Sequence, residues 1–342
     1  MAYISLSVTA TRARSAHESW HDAPDEPATM RAESALGQGR RTLLRGEAGG
    51  GKSTLLRWLA IRAARGEFEG ELAEWNGCVP FLVKLRSYAD RDLPRPEQLL
   101  DLTAGALSRL MPPGWAHRQL ASGHAMLLVD GVDELTGAQR KAIRPWLRGL
   151  LAEFPAIRVV ITSRPSAARS SWLEEEGFAP AFLERMTPTD TRALVEQWHE
   201  AIRSSPDLPC PPEQLPVVQE RLMSHLDSAP HLRSLAATPL LASMLCALNL
   251  DRAAQLPPDR MGLYAAALEM LLERRDAERV IPSYGEVRLD RSQKVQVLQE
   301  LAWRLSMTNR VELGRPAALA WVEKVVAAMP RVTATARRCW TT

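Results

Sequence analysis

The chain has 342 residues, 46% hydrophobic and 24% charged, which suits roughly two to three domains of about 100–200 residues and excludes a disulfide-stapled miniprotein and wholesale disorder. Its 43 basic and 40 acidic residues leave a net charge of only +3, so nothing in the charge balance makes nucleic acid an obligatory partner. No apolar run approaches the roughly 18 residues of a spanning helix, and Cys78, Cys210, Cys246 and Cys339 are scattered without a CxxC pair. Membrane insertion, a zinc site and a disulfide framework are therefore not expected, and a reducing cytoplasm is the expected location.

Residues 1–38 combine one short alternating stretch, Tyr3 to Val8, with the polar, proline-containing HESWHDAPDEPATMRAES, and read as a linker or a domain remnant. From Arg41 onward short apolar runs alternate with helix-length amphipathic stretches, the pattern of βα units around a parallel sheet. The expected strands are TLLR (42–45), VPFLVKL (79–85), AMLLVD (125–130), RVVITS (158–163) and a weaker AFLERM (181–186). After about residue 188 the apolar spacing becomes three-to-four and predicts helices in TDTRALVEQWHEAI, PPEQLPVVQERLMSHL and LRSLAATPLLASMLCALNL. Further helices are expected in MGLYAAALEMLLERRDAE, SQKVQVLQELAWRLSM and AALAWVEKVVAAM, separated by turns such as QLPPDR and IPSYGE. Trp58, Trp146, Trp198 and Trp303 fall at helix-like positions and read as core or interface packing.

Residues 46–54, GEAGGGKST, satisfy GxxxxGK[ST] between an expected strand and an expected helix. Glycine permits the positive φ angles that turn successive N–H groups toward one point, and the following helix start adds partial positive charge, so Gly46, Glu47, Ala48, Gly49, Gly50, Gly51, Lys52, Ser53 and Thr54 are expected to cradle phosphate. Lys52 would reach the β and γ phosphates, and the Ser53 hydroxyl would ligate Mg²⁺. A magnesium nucleotide also needs a carboxylate at a neighbouring strand tip, which AMLLVDGVDEL supplies as Asp130, the expected Walker B residue. Asp133 and Glu134 follow, and either could orient or deprotonate an attacking water. RVVITSRP ends a further strand with Arg164, expected to sense the terminal phosphate or stabilise charge in its transfer, or else to pair structurally with a carboxylate.

Together, GEAGGGKST, LLVDGVDEL and VVITSRP resemble the nucleotide-binding domain of NACHT proteins, a branch of the STAND class of P-loop NTPases. The small residue between acidic positions in DGVDE is the most specific piece. The resemblance extends less sharply through VPFLVKLRSYA, ATPLLASMLCAL and RMGLYAAALEMLLERRD, covering about residues 39–275. It implies an α/β P-loop NTPase with a parallel sheet between helices, akin to AAA+ and STAND folds, followed by helical and winged-helix-like regions. The implied division is 39–187 nucleotide-binding domain, 188–252 helical domain, 253–330 winged-helix-like helical region and 331–342 tail.

By the same resemblance the chain would bind ATP or ADP with Mg²⁺, hydrolyse slowly, and act as a signalling switch that self-associates through its NACHT domain, with bacterial antiviral defence as one setting. Pro239 of TPLL matches the family proline that packs against adenine, although a proline after Thr238 also suits the first turn of a helix. The chain departs from the family pattern at both ends, where effector and repeat sensor are expected to be missing. No histidine follows His231, so the winged-helix histidine that holds ADP in many relatives is absent. The alternatives are an AAA+-like ATPase and a nucleotide-binding module without turnover. No NKxD or LSGGQ motif favours a Ras-like GTPase or an ABC subunit.

Overall fold

Alternating and fully apolar runs build one mixed sheet, and the amphipathic stretches cover it. The computed structural model describes residues 4–11, 27–89, 91–135, 137–205, 208–251, 256–278, 289–308, 313 and 315–329. The chain forms two units, Met1–Gln255 and Leu256–Thr342. Among the described residues the sheet has strands β1 (Ser7–Thr11), β2 (Pro27–Arg31), β3 (Arg41–Gly46), β4 (Val79–Lys84), β5 (Ala125–Asp130), β6 (Arg158–Ser163) and β7 (Ala179–Leu183) in the order β2-β1-β7-β3-β6-β5-β4. The β7-β3-β6-β5-β4 part is parallel, as expected. β1, however, pairs antiparallel with both β2 and β7, so the sheet is mixed and not parallel throughout.

The antiparallel pair comes from the stretch expected to be a linker. Burial alternates along residues 4–10, with Ile4, Leu6, Val8 and Ala10 inward, a period of two that suits one covered face. PATMR in β2 has no such alternation and lies at the sheet edge, where its neighbours decide its conformation. Thr9 Oγ1 donates to Glu184 Oε1 at 2.6 Å, and Arg31 Nη1 reaches the buried Asp190 Oδ1 at 2.7 Å. Burial alone would raise the Asp190 carboxyl, but hydrogen bonds from Arg31 and Thr187 hold it below its usual range.

The centre of the sheet carries the core. Leu127 and Val129 of β5 join Leu43, Val159 and Ile161 in one cluster with Leu120 of α3 (Trp115–Ala121) and Ile143 and Leu147 of α4 (Gly137–Glu153). By strand alternation Met126, Leu128 and Val160 face the other side, where α2 (Lys52–Arg65) packs against β3 to β6 through Leu55, Leu56 and Leu59. The same parity carries Asp130 and Thr162, at the ends of β5 and β6, to the α2 side. α1 (Ala32–Gly37) packs against β1 and β2.

Four helices complete the first unit: α5 (Pro188–Ile202), α6 (Leu215–Ser228), α7 (Pro230–Leu235) and α8 (Pro239–Asp251). α5 opens with a Thr187–Asp190 capping box, and the single apolar stretch expected over residues 232–250 is broken before Pro239. The second unit holds α9 (Arg260–Glu278), α10 (Arg291–Met307) and α11 (Arg315–Ala327), and α10 and α11 enclose a small core of Val297, Val322, Val326 and Met329. Among its described residues there is no strand to make a wing. Trp303 is exposed, so it is not a core residue. The turn IPSYGE, Cys339 and the tail 331–342 lie outside the described residues, and so does Tyr3.

His199 of α5 is buried, with Nδ1 2.7 Å from the Val195 carbonyl and no partner at Nε2 among the described residues. Burial pushes its pKa below the ordinary value of about 6.5, against the opposing pull of that carbonyl. Below pH about 6.5 the unfolded chain therefore takes up a proton that the folded chain refuses, so stability is complete above that pH and declines beneath it. His199→Leu is expected to flatten this acid limb, measured by urea unfolding between pH 5 and 8.

Candidate functional site

The loop Gly46–Thr54 joins the end of β3 to the start of α2. Gly51 caps α2 with φ 97°, a left-handed conformation that disfavours any residue with a Cβ. Behind it, the N–H groups of the first helical turn have no acceptor within the helix. Lys52 folds back along the loop, donating from Nζ to the carbonyls of Gly46 at 2.6 Å and Glu47 at 2.9 Å. Burial lowers its pKa, although Asp133, Asp130 and Glu47 favour the charged form. An ammonium that is only partly compensated suits an incoming anion.

At the neighbouring strand tips, Asp130 Oδ1 accepts from the hydroxyls of Ser53 at 3.0 Å and Thr162 at 2.8 Å. Thr162 Oγ1 in turn accepts from the Gly131 N–H at 3.0 Å. One carboxylate oxygen thus ties the first turn of α2 to the ends of β5 and β6. Gly131 has φ 85° and starts the short turn Val132–Glu134. An added Cβ there would lie 2.8 Å from Glu134 Cδ, so the glycine leaves room for that carboxylate. Asp133 meets Arg164 twice: its Oδ1 accepts from the backbone N–H at 3.1 Å, and its Oδ2 forms an ion pair with the guanidinium, 2.8 Å from Nε.

These groups line a cleft of about 490 Å³ together with residues of the helical part. Ala48 to Thr54, Asp130, Asp133, Glu134, Arg164 and Pro239 all border it, so the fold brings together residues far apart in the sequence. Gly46 and Glu47 do not border it, and their carbonyls hold Lys52 instead. The far wall holds Leu194, Trp198, Leu240 and Ser243. The Leu240 N–H donates to the Gly49 carbonyl at 3.2 Å, which docks the start of α8 on the loop. Thr162, Leu194, Leu240 and Ser243 were not singled out, and Trp198 was read only as packing. A three-to-four apolar spacing cannot tell a residue facing a core from one facing a cleft, whereas the polar end of VVITS is a signal that could have found Thr162.

No group of three or more His, Cys, Asp or Glu side chains gathers to hold a metal among the described residues, and no described helix is long and apolar enough to cross a membrane. A magnesium nucleotide does not need such a cluster, because phosphate oxygens and water supply most of the ligands. The Ser53–Asp130 pair beside a glycine loop fits that requirement.

Residues 40–202 match the NACHT domain family, and the chain thus carries a NACHT-domain region. No curated protein matches the sequence significantly. Similar solved structures include domain III of the replication initiation protein DnaA of Thermotoga maritima, at 13% identity and a TM-score of 0.36, covering 71% of this chain and 87% of that one. The RuvB Holliday junction branch migration motor of the same organism has 13% identity and a TM-score of 0.33, covering 82% and 73%. The Aeropyrum pernix ORC2 protein has 14% identity and a TM-score of 0.35, covering 87% and 76%. Likenesses at this level say nothing of ligand or activity.

Gly131→Ala is expected to lower unfolding free energy by more than about 1 kcal/mol, because alanine meets both the left-handed backbone and the Glu134 carboxyl. Gly137→Ala, where a Cβ meets nothing within 4 Å, is expected to change it by less than about 0.5 kcal/mol. Urea denaturation of the two variants checks the contrast.

Proposed function

We propose that the chain is an ATP-dependent switch of NACHT type, binding ATP or ADP with Mg²⁺ in the cleft and hydrolysing ATP slowly. The observation that carries this reading is the Asp130 carboxylate holding the Ser53 hydroxyl beside the loop and the start of α2. Ser53 and Asp130 would hold the magnesium ion, which when bound offsets the charge of the phosphates. The loop N–H groups and Lys52 would bind the β and γ phosphates, Arg164 would meet the terminal phosphate, and Asp133 or Glu134 would handle the attacking water. Pro239, at the start of α8, would pack against the base.

A switch needs differential affinity for its two states, and about 5.5 kcal/mol swings a population from 1:99 to 99:1. The cleft suits this role because its walls come from the sheet on one side and from α5 and α8 on the other. Self-association through the NACHT region under ATP, signalling output and a cytoplasmic setting belong to the same proposal. They rest on the family region alone.

A second reading is favoured by one observation. Lys52 already donates to two carbonyls of its own loop and Arg164 already pairs with Asp133, as in a module that holds nucleotide without turning it over. Labelled phosphate release separates the two, since a module without turnover binds and releases none.

Lys52→Ala is expected to weaken binding of a fluorescent ATP analogue at least tenfold, or about 1.4 kcal/mol, while the backbone cradle remains. Unchanged affinity in a folded variant removes the phosphate-loop assignment. Asp130→Asn is expected to abolish the magnesium dependence of binding. Glu134→Gln is expected to leave that dependence intact and slow phosphate release, and loss of magnesium-dependent binding in both variants would sink this division of roles. Light scattering is expected to show a larger particle with a non-hydrolysable ATP analogue than with ADP. Equal mass under both nucleotides counts against the switch.

A further inference from the structure

Asp133 and Glu134 are adjacent carboxylates that the sequence does not distinguish, yet they face different surroundings. Both oxygens of Asp133 are engaged by a single residue, Oδ1 by the Arg164 N–H at 3.1 Å and Oδ2 by its Nε at 2.8 Å. The Asp133 side chain is only 12% exposed, against 48% for Arg164. The guanidinium is a rigid plane, and its ion pair with Asp133 restrains the orientation of the plane that carries the Nη groups. Among the described residues those groups have no partner, and Arg164 borders the cleft.

The turn that carries Asp133 is itself anchored. It starts at Gly131, whose N–H donates to Thr162, and Thr162 donates to Asp130. The carboxylate expected to meet magnesium and the carboxylate that aims the arginine therefore belong to one hydrogen-bonded assembly spanning β5 and β6. Glu134, on the same turn, borders the cleft with its carboxyl packed near Gly131.

We propose that Asp133 is a positioning residue: it fixes the guanidinium of Arg164 so that the Nη groups discriminate a nucleoside triphosphate from a diphosphate. The proposal rests on reading the cleft as a nucleotide site, and its test separates the two. Affinities of the full chain for a non-hydrolysable ATP analogue and for ADP are measured for wild type, Asp133→Asn, Arg164→Ala, the double variant and Glu134→Gln, alongside thermal melting without nucleotide.

The ratio of triphosphate to diphosphate affinity is expected to fall about tenfold in Asp133→Asn and in Arg164→Ala, and no further in the double variant. Without nucleotide the melting shifts of the two single variants are likewise expected to be non-additive. Glu134→Gln is expected to keep the wild-type ratio while losing phosphate release. A wild-type ratio in Asp133→Asn, or multiplicative effects in the double variant, overturns the proposal while nucleotide binding stands. Failure of the wild type to bind either nucleotide overturns both readings. If Asp133→Asn melts too low to assay, Arg164→Lys replaces it, because lysine keeps the charge but lacks the planar fork. A tenfold fall then supports the proposal, and an unchanged ratio overturns it.

Discussion

One carboxylate at a strand tip sets the geometry of everything around the cleft. Asp130 accepts from hydroxyls on two other elements, and a single oxygen serves both Ser53 and Thr162. This works only if β5, β6 and the start of α2 end at the same level. The parallel register meets that condition: Val129 lies opposite Ile161, and β3 runs beside β6 with Arg45 opposite Ser163. Parallel strands place all their carboxyl ends at one edge, which is where open α/β sheets present their binding crevices. The buried residues of β5 and β6 hold that edge rigid, because displacing a fully enclosed leucine or isoleucine strand disturbs both covered faces at once.

Lys52, Arg164 and the two hydroxyls at this edge each have at least one partner within the protein. Lys52 leans on its own loop carbonyls, Arg164 on Asp133, and the hydroxyls on Asp130. A phosphate entering the cleft therefore exchanges contacts instead of filling a vacancy, and the net gain is smaller than the sum of the new hydrogen bonds. Lys52 is the exception, since burial leaves its charge incompletely compensated. It is the group with most to gain from an anion.

The parallel strands β5 and β6 could be read from the letters because a strand buried on both faces is a continuous apolar run, and AMLLVD and RVVITS match them end to end. The polar residues ending those runs also marked the site, since a buried strand rarely finishes in Asp, Thr and Ser without a use for them. β2 was invisible. PATMR has no pattern of its own and forms only because β1 offers a free edge. The wall of Leu194, Trp198, Leu240 and Ser243 was equally hidden, because its residues keep the spacing of a packed helix face and only the docking of α8 onto Gly49 turns that face toward the loop.

The NACHT region begins at residue 40, yet the sheet begins earlier. β1 covers the outer side of β7, and Leu6 sits close enough to the loop that a Cβ on Gly51 would be 3.1 Å from its Cδ1. A fragment cut at the family boundary would lose both. β7 would then present a bare row of N–H and C=O groups, a template on which any extended segment, including another copy's strand, can pair. The residues ahead of the matched region therefore act as a selvedge, finishing the sheet so that it does not ravel into its neighbours.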